Sequence, residues 1–321
     1  MPAARTTRYD AGVTAVDTEY VRPGLDASHL IVSDGRAAFV DTGANNAVPL
    51  LLDALREADL EPADVDYVFL THIHLDHAGG AGKLMQALPN AQAVLHPRGA
   101  PHMIDPTRLI AGTEAVYGKE QAQAIYGVIE PIDAGRVIAT DDEAEYEFGG
   151  RTVRTLYTEG HARHHYVLHD PDSRGVFTGD SFGISYRTFD TDNGPFIFPT
   201  TTPIDFDPDA AHASIDRIMG LEPERVFLTH YSEVRDLDRL ADDMHRDIDA
   251  FRQIALDHAE AESRADRIGN ALFAHLVGRL TDHGFESDEE TLESALRMDV
   301  ILDAQGLDVW LTRSAKAAAT S

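Results

Sequence analysis

The stretch Tyr67-Val68-Phe69-Leu70-Thr71-His72-Ile73-His74-Leu75-Asp76-His77-Ala78-Gly79-Gly80 passes from a short apolar run directly into four ligand-type side chains within six residues. Tyr67 to Leu70 reads as a buried strand. Along an extended continuation, His72 and His74 project to the same side, while Asp76 and His77 lie where the chain begins to turn into a helix. The cluster therefore sits in a strand-to-helix loop. Imidazole nitrogen and carboxylate oxygen are the donors taken by Zn²⁺, Mn²⁺ or Fe²⁺. Burying such a cluster without a cation would leave polar groups in need of partners, at about 1–3 kcal/mol for each one unsatisfied. Gly79 and Gly80 allow the backbone to approach a crowded site closely.

Working outward, the upstream chain alternates short apolar runs with turn residues, and His29-Leu30-Ile31-Val32, Ser33-Asp34-Gly35 and Ala37-Ala38-Phe39-Val40 predict a hairpin. Val48, Leu51, Leu52 and Leu55 fall at helical spacing ahead of Pro62. Downstream, Ala93 to His96 predicts a strand and Gln121 to Ile125 a helix. Three further strands are predicted, each ending in polar residues: Thr152 to Tyr157 before Gly160-His161, Gly175 to Thr178 before Gly179-Asp180, and Arg225 to Thr229 before His230. Asp207-Pro208 has the form of a helix N-cap followed by proline at the first helical position. From Leu237 the character changes. Leu237, Leu240, Met244, Ile248, Phe251 and Ala255 form a helical stripe separated by acidic residues, so the expected organisation is a domain over residues 1–235 that carries the ligand run and a helical extension over 236–321.

Composition narrows the function classes. The 321 residues can bury a sizeable core, and the absence of cysteine removes disulfides and thiolate ligands. A net charge of −28, with only three lysines (Lys83, Lys119 and Lys316), argues against nucleic acid or an anionic membrane surface as partner. It fits either a surface adapted to high salt or an ordinary solvated acidic face. No apolar run reaches the length of a membrane span and no export signal is recognisable, so a cytoplasmic location is expected, with a small molecule as substrate.

The ligand run resembles the HxHxDH signature of the metallo-β-lactamase superfamily, and further motifs of that family follow in its order. Val40-Asp41-Thr42-Gly43 resembles its early strand-end aspartate motif, Glu159-Gly160-His161 its third histidine, Thr178-Gly179-Asp180 its bridging aspartate, and Leu228-Thr229-His230 its last histidine. The resemblance covers roughly residues 9 to 232. It implies an αββα metallo-β-lactamase sandwich, here with a C-terminal helical extension, and a site at one edge of the paired sheets. It also implies two divalent metal ions, with zinc foremost and iron or manganese as alternatives. His72, His74 and His161 would bind one ion, Asp76, His77 and His230 the other, and Asp180 would bridge them. Asp41 matches a position that supports the site from behind the ligands.

Thioesterases and lactonases of the glyoxalase II and lactonase-like branch often have Thr-Pro-Gly-His-Thr-Pro-Gly-His at the third motif. This chain has Thr158-Glu159-Gly160-His161-Ala162-Arg163-His164-His165. His165 is expected to support the site rather than ligate, and His164 and Arg163 either reach a substrate carboxylate or belong to a solvated loop. His96 and His102 read as ordinary loop histidines. Phe182, Tyr186, Phe189, Phe196 and Phe198 either line an apolar substrate pocket or pack against the C-terminal helices.

The family resemblance implies a metallo-hydrolase in which metal-activated water attacks a thioester, lactone or other ester carbonyl, with Asp76 and Asp180 as the catalytic carboxylates. Two other readings stand beside it. One is a sulfur dioxygenase with a single iron held by His72, His161 and Asp180. The other is a non-catalytic metal-binding or oxygen-sensing protein, although flavin-linked diiron relatives typically have Glu where His74 stands. A homodimer through the C-terminal helices is a further expectation.

Overall fold

The computed structural model describes residues 5–201 and 205–320. They form two compact units. One holds the chain up to Tyr157 together with His164–Gly179 and Pro223–Arg235, and the other holds Thr158–Arg163, Asp180–Glu222 and the chain from Asp236.

The first unit contains two mixed sheets. Strands β1 (Thr6–Arg8), β2 (Val13–Asp17), β3 (Ala27–Ser33), β4 (Arg36–Val40), β5 (Val65–Phe69), β6 (Gln92–Leu95) and β7 (Val137–Ala139) lie side by side in chain order. The first four are antiparallel, and β4 to β7 are parallel. The predicted hairpin is β3–β4, closed at Asp34-Gly35, where both residues take positive φ as a tight hairpin turn requires. The second sheet has the order β13-β12-β11-β10-β9-β8, from β8 (Glu145–Phe148), β9 (Arg151–Tyr157), β10 (Tyr166–Asp170), β11 (Gly175–Gly179), β12 (Arg225–Leu228) and β13 (Ser232–Val234). Helices α1 (Val48–Glu57), α2 (Leu75–Ala78), α3 (Ala81–Ala87), α4 (Ala100–Ile104), α5 (Thr107–Tyr117) and α6 (Lys119–Tyr126) belong to the same unit.

Period-two alternation sorts the side chains of the first sheet. Ile31, Ala38, Val40, Phe69 and Val94 face the second sheet and meet Phe148, Val153, Leu168, Phe177 and Phe227. Leu30, Phe39, Val68, Ala93 and Leu95 point the other way, against Val48, Leu51 and Leu55 of α1 and Leu84 and Met85 of α3. The result is the expected α/β sandwich. Strands β8 and β10 were among those not anticipated: β10 ends in His169-Asp170, which breaks its apolar pattern, and it pairs antiparallel with its chain neighbours β9 and β11.

The second unit is helical: α7 (Pro208–Met219), α8 (Leu237–Asp257), α9 (Arg264–Asp282) and α10 (Glu289–Thr320). The Asp207 side chain accepts a hydrogen bond from Ala210 N at the start of α7, as its sequence predicts. The apolar stripe of α8 is buried, together with Leu272 and Leu276 of α9 and Leu296 and Leu307 of α10. Buried Asp247 ties α8 to α9 by accepting from His275 Nε2 at 3.0 Å and from Arg279. Phe182, Tyr186, Phe189, Phe196 and Phe198 are all buried, and Phe189 stacks edge-on against Phe285 at 5.3 Å. Of the two expectations for these aromatics, packing within the helical unit is the one realised.

His29 of β3 lies in the sheet-to-sheet core, edge-on to Phe177 at 5.2 Å, and burial lowers its imidazole to about 3. Below its ordinary value near 6.5 the unfolded chain takes up a proton that the folded one refuses. The stability tied to neutral His29 is therefore present above that value and lost as pH falls toward about 3. For His29→Leu we expect the fall of unfolding free energy with acidification to become shallower by about 1.4 kcal/mol per pH unit, read from urea unfolding between about pH 6 and pH 4. An unchanged slope would show that the ring is protonated in the folded protein.

Candidate metal centre

Asp41 closes β4 in a left-handed conformation (φ 56°), an uncommon geometry for a non-glycine residue and one that concentrates at functional sites. Its buried carboxylate accepts from Thr71 N at 2.8 Å, from Thr71 Oγ1 at 2.9 Å, from Thr229 Oγ1 at 2.9 Å and from His77 Nδ1 at 2.8 Å. A buried anion is tolerated when such donors meet its charge. One side chain thus ties together the ends of β4, β5 and β12.

The consequence for the imidazoles is an oriented set of lone pairs. With Nδ1 of His77 committed to Asp41, its Nε2 is the donor atom that remains for a cation. His230 is fixed the same way, since its Nδ1 donates to Leu25 O at 2.8 Å. His77 Nε2 and His230 Nε2 then stand 3.8 Å and 3.5 Å from Asp76 Oδ2. These spacings are too long for good hydrogen bonds. They are close to the roughly 3.4 Å that separates two donors held by one tetrahedral cation at about 2.1 Å. Asp76, His77 and His230 are accordingly positioned to bind a metal ion, with all three donor atoms within 4.8 Å of one another.

His72 follows β5 in the same unit and is completely buried, its Nδ1 3.2 Å from Thr71 Oγ1 and its Nε2 2.9 Å from His74 Nδ1. The two rings stand nearly perpendicular at 81°. His165 stacks on His72 with centroids 4.9 Å apart, and His164 lies 5.8 Å from the His74 ring. In the helical unit, His161 Nε2 lies 3.3 Å from Asp180 Oδ2, again a co-ligand spacing, and Ser181 Oγ donates to Thr158 Oγ1 at 3.0 Å to hold the two loops together.

Other candidates have different surroundings. Tyr186 is buried, and its hydroxyl donates to Asp299 Oδ1 at 3.0 Å, which gives it a packing role in the helical unit. Arg163 is exposed and lies 3.7 Å from Asp205. His96 is buried beside Tyr157, and burial lowers it to about 4.

Three supporting residues escaped the sequence reading. Thr71 and Thr229 both serve Asp41, and both sit in the triplet Leu-Thr-His at a strand end, Leu70-Thr71-His72 and Leu228-Thr229-His230. That repeated triplet was the available signal. The third is Asp26, which had none: burial pushes its carboxyl up to about 7 against the pull of the His230 and His77 imidazoles. Gly179 also has a physical requirement. It takes φ 48° at the register shift of β11, and a Cβ there would come within 2.6 Å of both His165 Nε2 and Thr71 Oγ1.

Two substitutions test this framework. Asp41→Asn replaces an acceptor-only carboxylate by an amide that offers N–H groups to His77 or the threonines, and metal affinity should fall about 10–100-fold while the fold persists; unchanged affinity by competitive chelation would refute Asp41 as the orienting group. Gly179→Ala should displace His165 and Thr71 and lower metal occupancy, measured by elemental analysis, whereas full occupancy would show that the strand yields at no cost to the site.

The model of the metallo-beta-lactamase superfamily matches residues 21–230. The metallo-beta-lactamase fold-containing protein ST1585 of Sulfurisphaera tokodaii is 29% identical over 213 residues, covering 65% of this chain and 73% of that relative. A hydroxyacylglutathione hydrolase of Synechococcus is 28% identical over 145 residues, and the chain spans only 43% of its length. An N-acyl homoserine lactonase, AttM of Rhizobium radiobacter, is 26% identical over 117 residues, or 40% of its length. Among solved structures, ST1585 superposes with a TM-score of 0.62 at 22% identity, over 93% of this chain and 99% of that one, a likeness of fold. The ordered motifs, the paired sheets and the match from residue 21 to 230 lead to one conclusion: the chain belongs to the metallo-beta-lactamase superfamily.

Proposed function

We propose that this protein is a metal-dependent hydrolase of thioesters, lactones or other esters, working with two divalent cations, zinc foremost. Asp76, His77 and His230 would hold one cation, and His72, His74 and His161 the other, with Asp180 the carboxylate that would serve both. The observation that carries this reading is the set of three donor atoms of Asp76, His77 and His230, two of them on imidazoles whose outer nitrogens are already committed to Asp41 and to Leu25 O. A mononuclear dioxygenase that relied on His72, His161 and Asp180 would leave this oriented trio without a role. Hydrolysis of thioester and lactone bonds is in keeping with the names of the hydroxyacylglutathione hydrolase and lactonase relatives.

Divalent cations bound there would supply Lewis acidity, polarising a carbonyl and lowering the pKa of water toward about 7. The residues of the chain do the rest. Asp76 is the more exposed member of its trio, with a side chain 23% accessible beside a His77 that is fully buried. It is therefore placed to receive the proton of the attacking water and return it to the leaving group. Asp41, Thr71 and Thr229 keep the imidazoles in register and spend no proton in the reaction. Beside Leu75 of the ligand run lies a cavity of about 160 Å³, lined by Ile110, Ala122, Tyr126, Val128 and Ile129 among others.

Exhaustive chelation should abolish hydrolysis of a thioester and lactone panel, and added zinc should restore it. Asp76→Ala should lower kcat/KM by about 10²–10⁴-fold. Full activity in metal-free protein would overturn the proposal, as would one iron per chain together with oxygen consumption on a persulfide.

A further inference from the structure

Within the helical unit, α7 and α8 each carry a histidine with an aspartate four residues on: His212 and Asp216 on α7, His245 and Asp249 on α8. Residues at that spacing share one helix face. The pairs cross between the helices. His212 Nε2 lies 3.2 Å from Asp249 Oδ1 of α8, and His245 Nε2 lies 3.3 Å from Asp216 Oδ1 of α7. The two ring planes are nearly parallel, at 10°, and the rings meet edge to edge with their Nδ1 atoms 2.6 Å apart.

The chemistry of this arrangement is specific. A neutral imidazole carries one N–H, and a carboxylate beside Nε2 keeps it there. The Nε2–H of His212 donates to Asp249, which leaves its Nδ1 lone pair facing His245 Nδ1. At 2.6 Å the two nitrogens share one proton, and a cation can take its place. Two imidazoles that share one zinc at about 2.1 Å have nitrogens about 3.4 Å apart, so the rings must part and turn until both lone pairs converge on the ion. Histidine ligands whose far nitrogen is backed by a carboxylate are the usual form of a transition-metal site. The His212 and His245 side chains are 24% and 30% accessible, which leaves a route for the ion and room for water on its remaining positions.

We propose that His212 and His245 form an accessory site for a first-row divalent cation of the zinc or copper class, separate from the family's metal centre. The inference does not rest on the hydrolase reading. Its consequence lies in what α7 holds. Asp207 N donates to Gly160 O at 2.8 Å, and Ser214 Oγ donates to Glu159 O, so the first turns of α7 brace the loop that carries His161. The fit is close: a Cβ on Gly160 would come within 2.5 Å of Ala211. A cation joining α7 to α8 would therefore stiffen the support of that loop.

The test uses the full chain with its family metal centre loaded. Zinc chloride is titrated by calorimetry into the wild type and into the separate variants His212→Gln and His245→Gln, followed by elemental analysis after gel filtration. The wild type should take up one equivalent more than either variant, and all three should retain the same content at the family centre. Zinc should also raise the wild-type Tm by an increment that both variants lose. With Cu²⁺ as probe, the electron paramagnetic resonance spectrum of the extra equivalent should show coupling to two imidazole nitrogens. Should a glutamine variant fail to fold, Asp249→Asn provides the second reading, with affinity for the extra equivalent reduced about 10–100-fold. Equal uptake by wild type and variants, or an Asp249→Asn affinity equal to that of the wild type, would overturn the proposal.

Discussion

A carboxylate taken out of water must be met by donors, and at Asp41 that requirement fixes the geometry of the surrounding strand ends. Thr71, His77 and Thr229 all deliver hydrogens to it, so β4, β5 and β12 are held at one point in space by a single charge. The same bonds decide a chemical matter. They set the tautomer of His77 and, through Thr71, the neighbourhood of His72, which makes these side chains donors toward a cation instead of toward solvent. Asp41 accepts a left-handed backbone in return, a cost that the surrounding pairing sustains.

The sandwich explains why the ligands arise where they do. In the parallel portions of the sheets, β4 to β7 and β11 with β12, neighbouring strands run the same way and so end at the same edge. His72 follows β5 and His230 follows β12, while His161 and Asp180 come just after β9 and β11. The interior of each strand is committed to packing by alternation, so the chemistry falls to the residues immediately past its end.

The helical unit combines two kinds of support. Its core is apolar, with the aromatics after Asp180 buried among themselves and the stripes of α8 to α10 turned inward. Its polar interior is held by paired groups, as at Asp247 with His275 and Arg279, or at Thr201, whose amide donates to Asp303 Oδ1 at 2.6 Å. His212 and His245 differ from these. Each has a carboxylate within 3.3 Å of its Nε2, and the two rings meet at their Nδ1 atoms.

What the sequence alone determined was local and chemical. The four ligand types between His72 and His77 follow an apolar strand, the hairpin turn is written in Asp34-Gly35, and the stripe from Leu237 has helical period. Those signals depend on neighbours within a few residues, which is the range over which periodicity and turn chemistry act. The ordered motifs then made the family legible. The tertiary structure decided which carboxylate orients which ring: Asp41 and His77 are 36 residues apart, and Asp41 and Thr229 are 188 apart. It likewise decided that the aromatics from Phe182 to Phe198 serve as core, and that Asp26 lies buried near the ligands. Hydrogen-bond partners and burial are set by strand pairing across the whole unit, and no local pattern carries them.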